Sequence, residues 1–160
     1  MSLNFSLILM LLSSPAIAAE GYFGKYMVSA VESPTYQKGL SIGRQSEWSV
    51  FETKTEGGFW VDNSKRPGAK CSAFISYSLG IEPRAGAFYV NMFQGVAALS
   101  NTDTVLGGHL QFVEDVGLGV RDQEKNVAIG LFYKHISSAG IFLPNYGRDF
   151  VGVQVMIPWP

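Results

Sequence analysis

Charge is scarce in this chain, and cysteine is nearly absent. Only 16% of its 160 residues are Asp, Glu, Lys or Arg, the formal net charge is −1, and Cys71 is the single cysteine. A lone cysteine forms no internal disulfide, which excludes a disulfide-stapled secreted fold. With no basic stretch, nucleic acid is excluded as an expected partner. Long apolar runs are missing as well. Residues 3–12 are apolar but too short to span a bilayer as a helix, and nothing after them approaches the roughly 20 residues that a transmembrane helix needs. Ser13, Ser14, Pro15 and then Ala16 to Ala19 follow that run, with small residues suited to cleavage after Ala18 or Ala19. This is the shape of a secretory signal peptide over residues 1–19, although its first residues carry no Lys or Arg. Residues 20–160 then form one domain.

Glycine (18 residues) and aromatics (13%) are what the chain does contain, and both suit strands better than helices. Strand-length segments recur, each alternating apolar with small or polar residues and ending in a turn rich in Gly, Pro, Asn and Asp. Cys71, Ala73, Ile75, Tyr77, Leu79 and Ile81 share one face, while Ser72, Phe74, Ser76, Ser78 and Gly80 share the other. Period-two alternation marks a strand with two different environments. The same reading predicts strands near 23–32, 36–46, 55–62, 71–81, 86–96, 106–120, 126–137 and 149–158.

Eight antiparallel strands close either as a soluble, ligand-carrying barrel or as a membrane barrel. Alternation alone does not say which face is outside. On 127–137 the bulky face is Val127, Ile129, Leu131 and Tyr133; on 149–158 it is Val151, Val153, Val155 and Ile157, with Trp159 beyond. An aromatic near one end of each aliphatic stripe fits an interfacial girdle, and the opposite faces of glycine, polar and single large residues fit a filled eight-stranded interior. The reading favoured is an all-β, eight-stranded antiparallel transmembrane barrel in a bacterial outer membrane.

His135 and Ser137 are two residues apart, so a strand places them on one face, where the aliphatic stripe ends. Asp149 heads the aliphatic face of the next strand, and a turn over roughly 138–148 brings it back beside Ser137. Nucleophile, base and orienting acid thus converge at one membrane edge. His135 would take the Ser137 proton, Asp149 would hold the imidazole, and the backbone N–H groups of Ala139 and Gly140 would approach a developing oxyanion. Taken singly, a His-x-Ser pair on a strand is commonplace and Asp149 is equally a strand-start charge. A structural or adhesive barrel without catalysis therefore stays open at this point.

The run His135, Ile136, Ser137, Ser138, Ala139, Gly140, then Pro144, Asn145, Tyr146, Gly147 and Asp149 resembles the carboxy-terminal signature of the PagL family of outer-membrane lipid A 3-O-deacylases. That signature reads His-x-Ser-Asn-Ala-Gly, a short spacer, Pro-Asn-x-Gly, then an acid. A weaker similarity joins Phe112, Glu114, Asp115, Gly117 and Gly119 to the family's Phe-Glu-Asp-x-x-Gly-x-Gly strand. The resemblance implies hydrolysis of the ester that holds the 3-position hydroxyacyl chain of lipid A. Ser137 would be the nucleophile, His135 the base and Asp149 the acid, with lipid A of the outer leaflet as partner and no metal or organic cofactor. Ser138, Ala139 and Gly140 occupy the oxyanion positions. Two residues depart from the pattern: Asp149 is one methylene shorter than the family's Glu, and Ser138 stands where the family has Asn, a side-chain donor.

Three further sites carry expectations. Glu114 is expected opposite Tyr133 as a reserve acid approaching His135 diagonally. Lys134 and Arg148 flank the site and are candidates for lipid A phosphates. His109 is expected on the interior face beside Gly107 and Gln111, as a hydrogen-bonding residue and not a metal ligand.

Overall fold

The computed structural model of the chain describes residues 21–30, 37–48, 50–62, 71–102 and 105–158, and structural statements below refer to these. The expected signal peptide and Trp159 lie outside them. Nine strands follow in order: β1 (Gly21–Ser29), β2 (Gln37–Trp48), β3 (Phe51–Asp62), β4 (Cys71–Ile81), β5 (Arg84–Ala85), β6 (Phe88–Leu99), β7 (Leu110–Arg121), β8 (Ala128–Ser137) and β9 (Arg148–Pro158). β5 is a two-residue piece folded back on β6, so β4 pairs directly with β6. β1 pairs antiparallel with β9 from Gly21↔Pro158 to Ser29↔Phe150, which closes the sheet. The result is an eight-stranded antiparallel barrel without an open edge.

Gly21 and Pro158 sit at the same end as the short connections from Trp48 to Phe51, Ile81 to Phe88 and Arg121 to Ala128. The longer connections leave from the other end. Membrane barrels place short turns on the periplasmic side and long loops outside.

Period-two alternation sorts the side chains as the sequence reading expects. Tyr26, Ile75, Leu79, Leu118, Leu131, Val153 and their neighbours are exposed around the outside. The interior instead holds charge. Lys25, Lys54, Lys134, Glu56 and Asp115 are all buried. Lys134 Nζ lies 2.7 Å from Glu56 and 3.3 Å from Asp115, Lys54 lies 2.9 Å from Asp115, and Lys25 bonds Asp115 as well. Phenylalanines complete the packing: Lys54 Nζ is 4.3 Å from the Phe93 ring centre and Lys25 Nζ is 4.4 Å from that of Phe132. A second group nearer the short-turn end joins Glu82 to Arg121, Arg84 and Gln45, each at 2.9 Å. Apolar outside and ionic inside reverses the order of a soluble barrel, and the surface it presents matches hydrocarbon.

Two glycines show how closely the interior is filled. Gly119 and Gly130 are register partners, and a side chain on either would strike the Tyr89 hydroxyl, which is held by Gln154 Nε2 at 3.1 Å.

Several expectations shift. β7 begins at Leu110 and not near 106, because the preceding segment leaves the sheet to bridge Leu106 with Asn145. Glu114 lies opposite His135, not Tyr133. The cause is the β7–β8 turn, which falls one residue later than the alternation alone places it. Asp122 Oδ1 accepts the Glu124 and Lys125 N–H groups at 2.9 and 3.1 Å, and Asn126 takes φ 53° to complete the reversal. His109 is exposed, not interior, with Nδ1 2.8 Å from the Leu99 carbonyl at the sheet's end.

Candidate active site

His135 comes third from the end of β8 and Asp149 second in β9, and the register sets them directly opposite. Opposite residues have Cβ atoms about 4.5–5.5 Å apart, so the short Asp arm reaches. Nδ1 of His135 lies 2.7 Å from Asp149 Oδ1. Facing a carboxylate oxygen, Nδ1 carries the hydrogen, which leaves Nε2 as the basic nitrogen. The expectation that Asp149 returns beside Ser137 is therefore corrected to a place beside His135. The same oxygen accepts the Tyr133 hydroxyl at 2.5 Å. Tyr133 is a site residue that the sequence reading took for part of the aromatic girdle; its parity with His135 was the available signal.

Gly147 fixes the imidazole from the loop side. It adopts φ 71°, and a Cβ there would stand 2.6 Å from His135 Cε1, so glycine is required on both counts. Both partly exposed, at 30% for the His135 side chain and 34% for Asp149, the pair sits at the edge of the wall.

Ser137 ends β8 on the same outward face as His135, with Phe112 as its β7 partner. The chain then turns through two successive left-handed residues, Ala139 at φ 50° and Gly140 at φ 83°. A non-glycine residue there costs roughly 1–2 kcal/mol, and such strain gathers at functional turns. The loop beyond is tied down twice. Ser138 donates its N–H to Asn145 Oδ1 at 2.8 Å and its hydroxyl to the Phe142 carbonyl at 3.0 Å. Gly107 N–H donates to the Pro144 carbonyl at 2.8 Å, and Tyr146 N–H to that of Val105 at 3.1 Å. Ser138 is thereby corrected from oxyanion donor to loop fastener, because it is buried and both its donors are engaged.

Lys134 and Arg148 are corrected too. Parity turns both inward, where they are buried, and Lys134 is enclosed by Glu56 and Asp115; neither side chain lies where a lipid phosphate reaches it. On the outward side a groove of about 480 Å³ runs from Ser137 and Ala139 past His135, Glu114 and Phe112 to Val96 and Gln94. No group of three or more His, Cys, Asp or Glu side chains suited to a metal converges among the described residues.

Residues 24–158 match the family model for lipid A 3-O-deacylase (PagL). The lipid A deacylase PagL of Bordetella bronchiseptica is 36% identical over 112 residues, covering 65% of this chain and 61% of that protein. A solved structure described as the crystal structure of the outer membrane enzyme PagL superposes with a TM-score of 0.62 at 21% identity. It covers 86% of this chain and 99% of its own, and so matches the fold. With an apolar outer belt, an ionic interior and a family match over nearly all the described barrel, this chain is an outer-membrane β-barrel that belongs to the PagL lipid A 3-O-deacylase family.

Proposed function

We propose that the protein deacylates lipid A in the outer leaflet, cleaving an ester-linked 3-O-acyl chain with Ser137 as nucleophile. The observation that carries this is the 2.7 Å contact from His135 Nδ1 to Asp149, which leaves Nε2 as the basic nitrogen, with Ser137 two residues along on the same outward face of β8. In the reaction, Ser137 Oγ attacks the ester carbonyl while His135 Nε2 takes its proton. Asp149 stabilises the imidazolium, and the backbone N–H groups of Ala139 and Gly140 meet the oxyanion. Collapse expels the sugar hydroxyl, protonated by His135, and leaves an acyl-serine. Water, deprotonated by His135, then releases the fatty acid and restores Ser137.

Location supports the same reading. The site lies at the long-loop end, where the headgroup zone of the outer leaflet meets the wall, and the groove opens sideways to lipid. The substrate enters from the membrane plane, so a filled lumen is no obstacle.

Ser137→Ala tests the proposal. Expressed in a lipid A-producing host, wild type yields free hydroxy fatty acid and lipid A lighter by one acyl chain, and the variant lowers the rate by about 10³-fold or more. Lipid A left unchanged by wild type overturns the reading in favour of a structural barrel.

A further inference from the structure

One polar pair on the outer wall has no part in that scheme. The register joins Gln94 of β6, Glu114 of β7, His135 of β8 and Asp149 of β9 into a single row across the sheet. Because strands tilt by about 35–45° in a membrane barrel, such a row changes depth as it crosses the wall. Asp149 is second from the long-loop end of its strand, His135 third, Glu114 fifth of twelve and Gln94 only sixth of twelve from that end. The row therefore descends from the rim into the apolar belt.

Glu114 and Gln94 are both exposed on the outer face, bonded to each other through Gln94 Nε2 and Glu114 Oε1 at 3.2 Å. Around them Met92, Val96, Phe112 and Val116 are exposed and apolar. An acid facing lipid is costly and marks function by default. Glu114 bonds Gln94 and not His135, whose Nδ1 is already held by Asp149, so a reserve-acid role leaves the pair unexplained. The groove supplies the explanation: its walls are apolar, and these two side chains are its polar groups below His135.

We infer that Glu114 and Gln94 form a hydroxyl-recognition site within the acyl groove, selecting esters whose acyl chain carries a hydroxyl close to the carbonyl. The inference rests on the deacylase reading. Glu114 is the diagonal cross-strand neighbour of Ser137, roughly 7–8 Å away between Cα atoms. An acyl carbonyl held at Ser137 places a hydroxyl two carbons along within reach of the Glu114 carboxyl arm. The second Glu114 oxygen accepts the hydroxyl hydrogen, and the second Gln94 N–H donates to the hydroxyl oxygen. The rest of the chain lies along Val96 and Phe112. A bare alkyl chain leaves both polar groups unanswered in a lipid-facing groove, which penalises it.

The test compares kcat/KM for two glucosamine-based lipid esters that differ only in a hydroxyl at the third acyl carbon, using full-length protein refolded in detergent. Wild type favours the hydroxyacyl ester by about 10- to 100-fold, the range for a hydrogen bond to a charged group. Glu114→Leu and Gln94→Leu both bring that ratio toward one, with heat-modifiable gel migration confirming the folded barrel. Equal wild-type rates on the two esters overturn the inference, as does a ratio that persists in the variants while both rates fall together. Because the wild-type ratio is read without any substitution, poor folding of a variant does not shield the proposal. Cleavage of neither ester by wild type defeats the deacylase reading, and the inference with it.

Discussion

At the scale of single residues, His135 is bonded by Asp149 and hemmed by Gly147, while Tyr133 braces the acid, and each of the three makes a separate prediction. Asp149→Asn keeps the shape but favours the wrong tautomer, and activity falls by about 10²–10⁴-fold. Asp149→Glu, which restores the acid of the family signature, gives no gain in kcat. The Asp already makes its 2.7 Å contact from the opposite register position, and a longer arm must fold back to do the same. Tyr133→Phe removes one of two donors to Asp149 Oδ1 and lowers kcat by about 3- to 10-fold with KM unchanged, in line with one modest hydrogen bond. Gly147→Ala drives the imidazole aside and silences the enzyme while the barrel still shows heat-modifiable migration. That His135, Ser137 and Asp149 share the outward face near one end of adjacent strands was legible from parity and spacing; that Asp149 stands opposite His135 and not beside Ser137 was not, because register decides it. Tyr133 was not, since a tyrosine ending an aliphatic stripe looks like an interfacial anchor until its hydroxyl partner is known. Ser138 was misread for a related reason: it adjoins the proposed nucleophile in sequence, yet its own parity buries it against the loop.

At the scale of elements, strand existence and sidedness were legible, whereas register was not. Register is set in the turns, and there a single residue moves every partner. The β7–β8 turn is the instructive case. Asp122 gathers the N–H groups of Lys125 and Glu124, hydrogen bonds that also hold its carboxyl below the usual carboxylate value. A depressed folded-state value means that the turn's support is present at neutral pH and is lost as pH falls through that value. Asp122→Ala therefore raises hydrogen exchange at residues 122–127 at neutral pH, and wild type converges on the variant in strong acid. The start of β7 was unreadable for another reason. Gly107 and Leu106 fit the strand pattern but are captured by Pro144 and Asn145 of the neighbouring loop, a contact between segments more than 35 residues apart. Asn145→Ala releases Ser138 as well, and the turn carrying Ala139 and Gly140 loses its anchor. The expected outcome is a fall in kcat of about tenfold, the loss of one well-placed bond to the loop, with the barrel intact by gel migration.

At the scale of the whole molecule, the closed sheet binds its two halves through charge. Asp115 touches Lys25, Lys54 and Lys134, which come from β1, β3 and β8. Asp115→Asn leaves three buried ammonium groups facing Glu56 alone and destabilises the barrel by about 3–5 kcal/mol, the range for a broken buried pair. The measurement is the temperature at which the compact band converts to the extended one. This network was not read from the sequence. Alternation puts Lys134 on the face of Phe132, yet Lys134 was taken for a rim cation, and no local pattern reveals that residues from four strands meet. Its consequence reaches past stability to electrical behaviour. Among the described residues, ion pairs cross the lumen and buried phenylalanines pack against them, an arrangement that obstructs passage of small ions. In planar bilayers the protein is expected to insert without conductance steps, so a cell can raise its abundance in the outer membrane without opening that membrane to solutes.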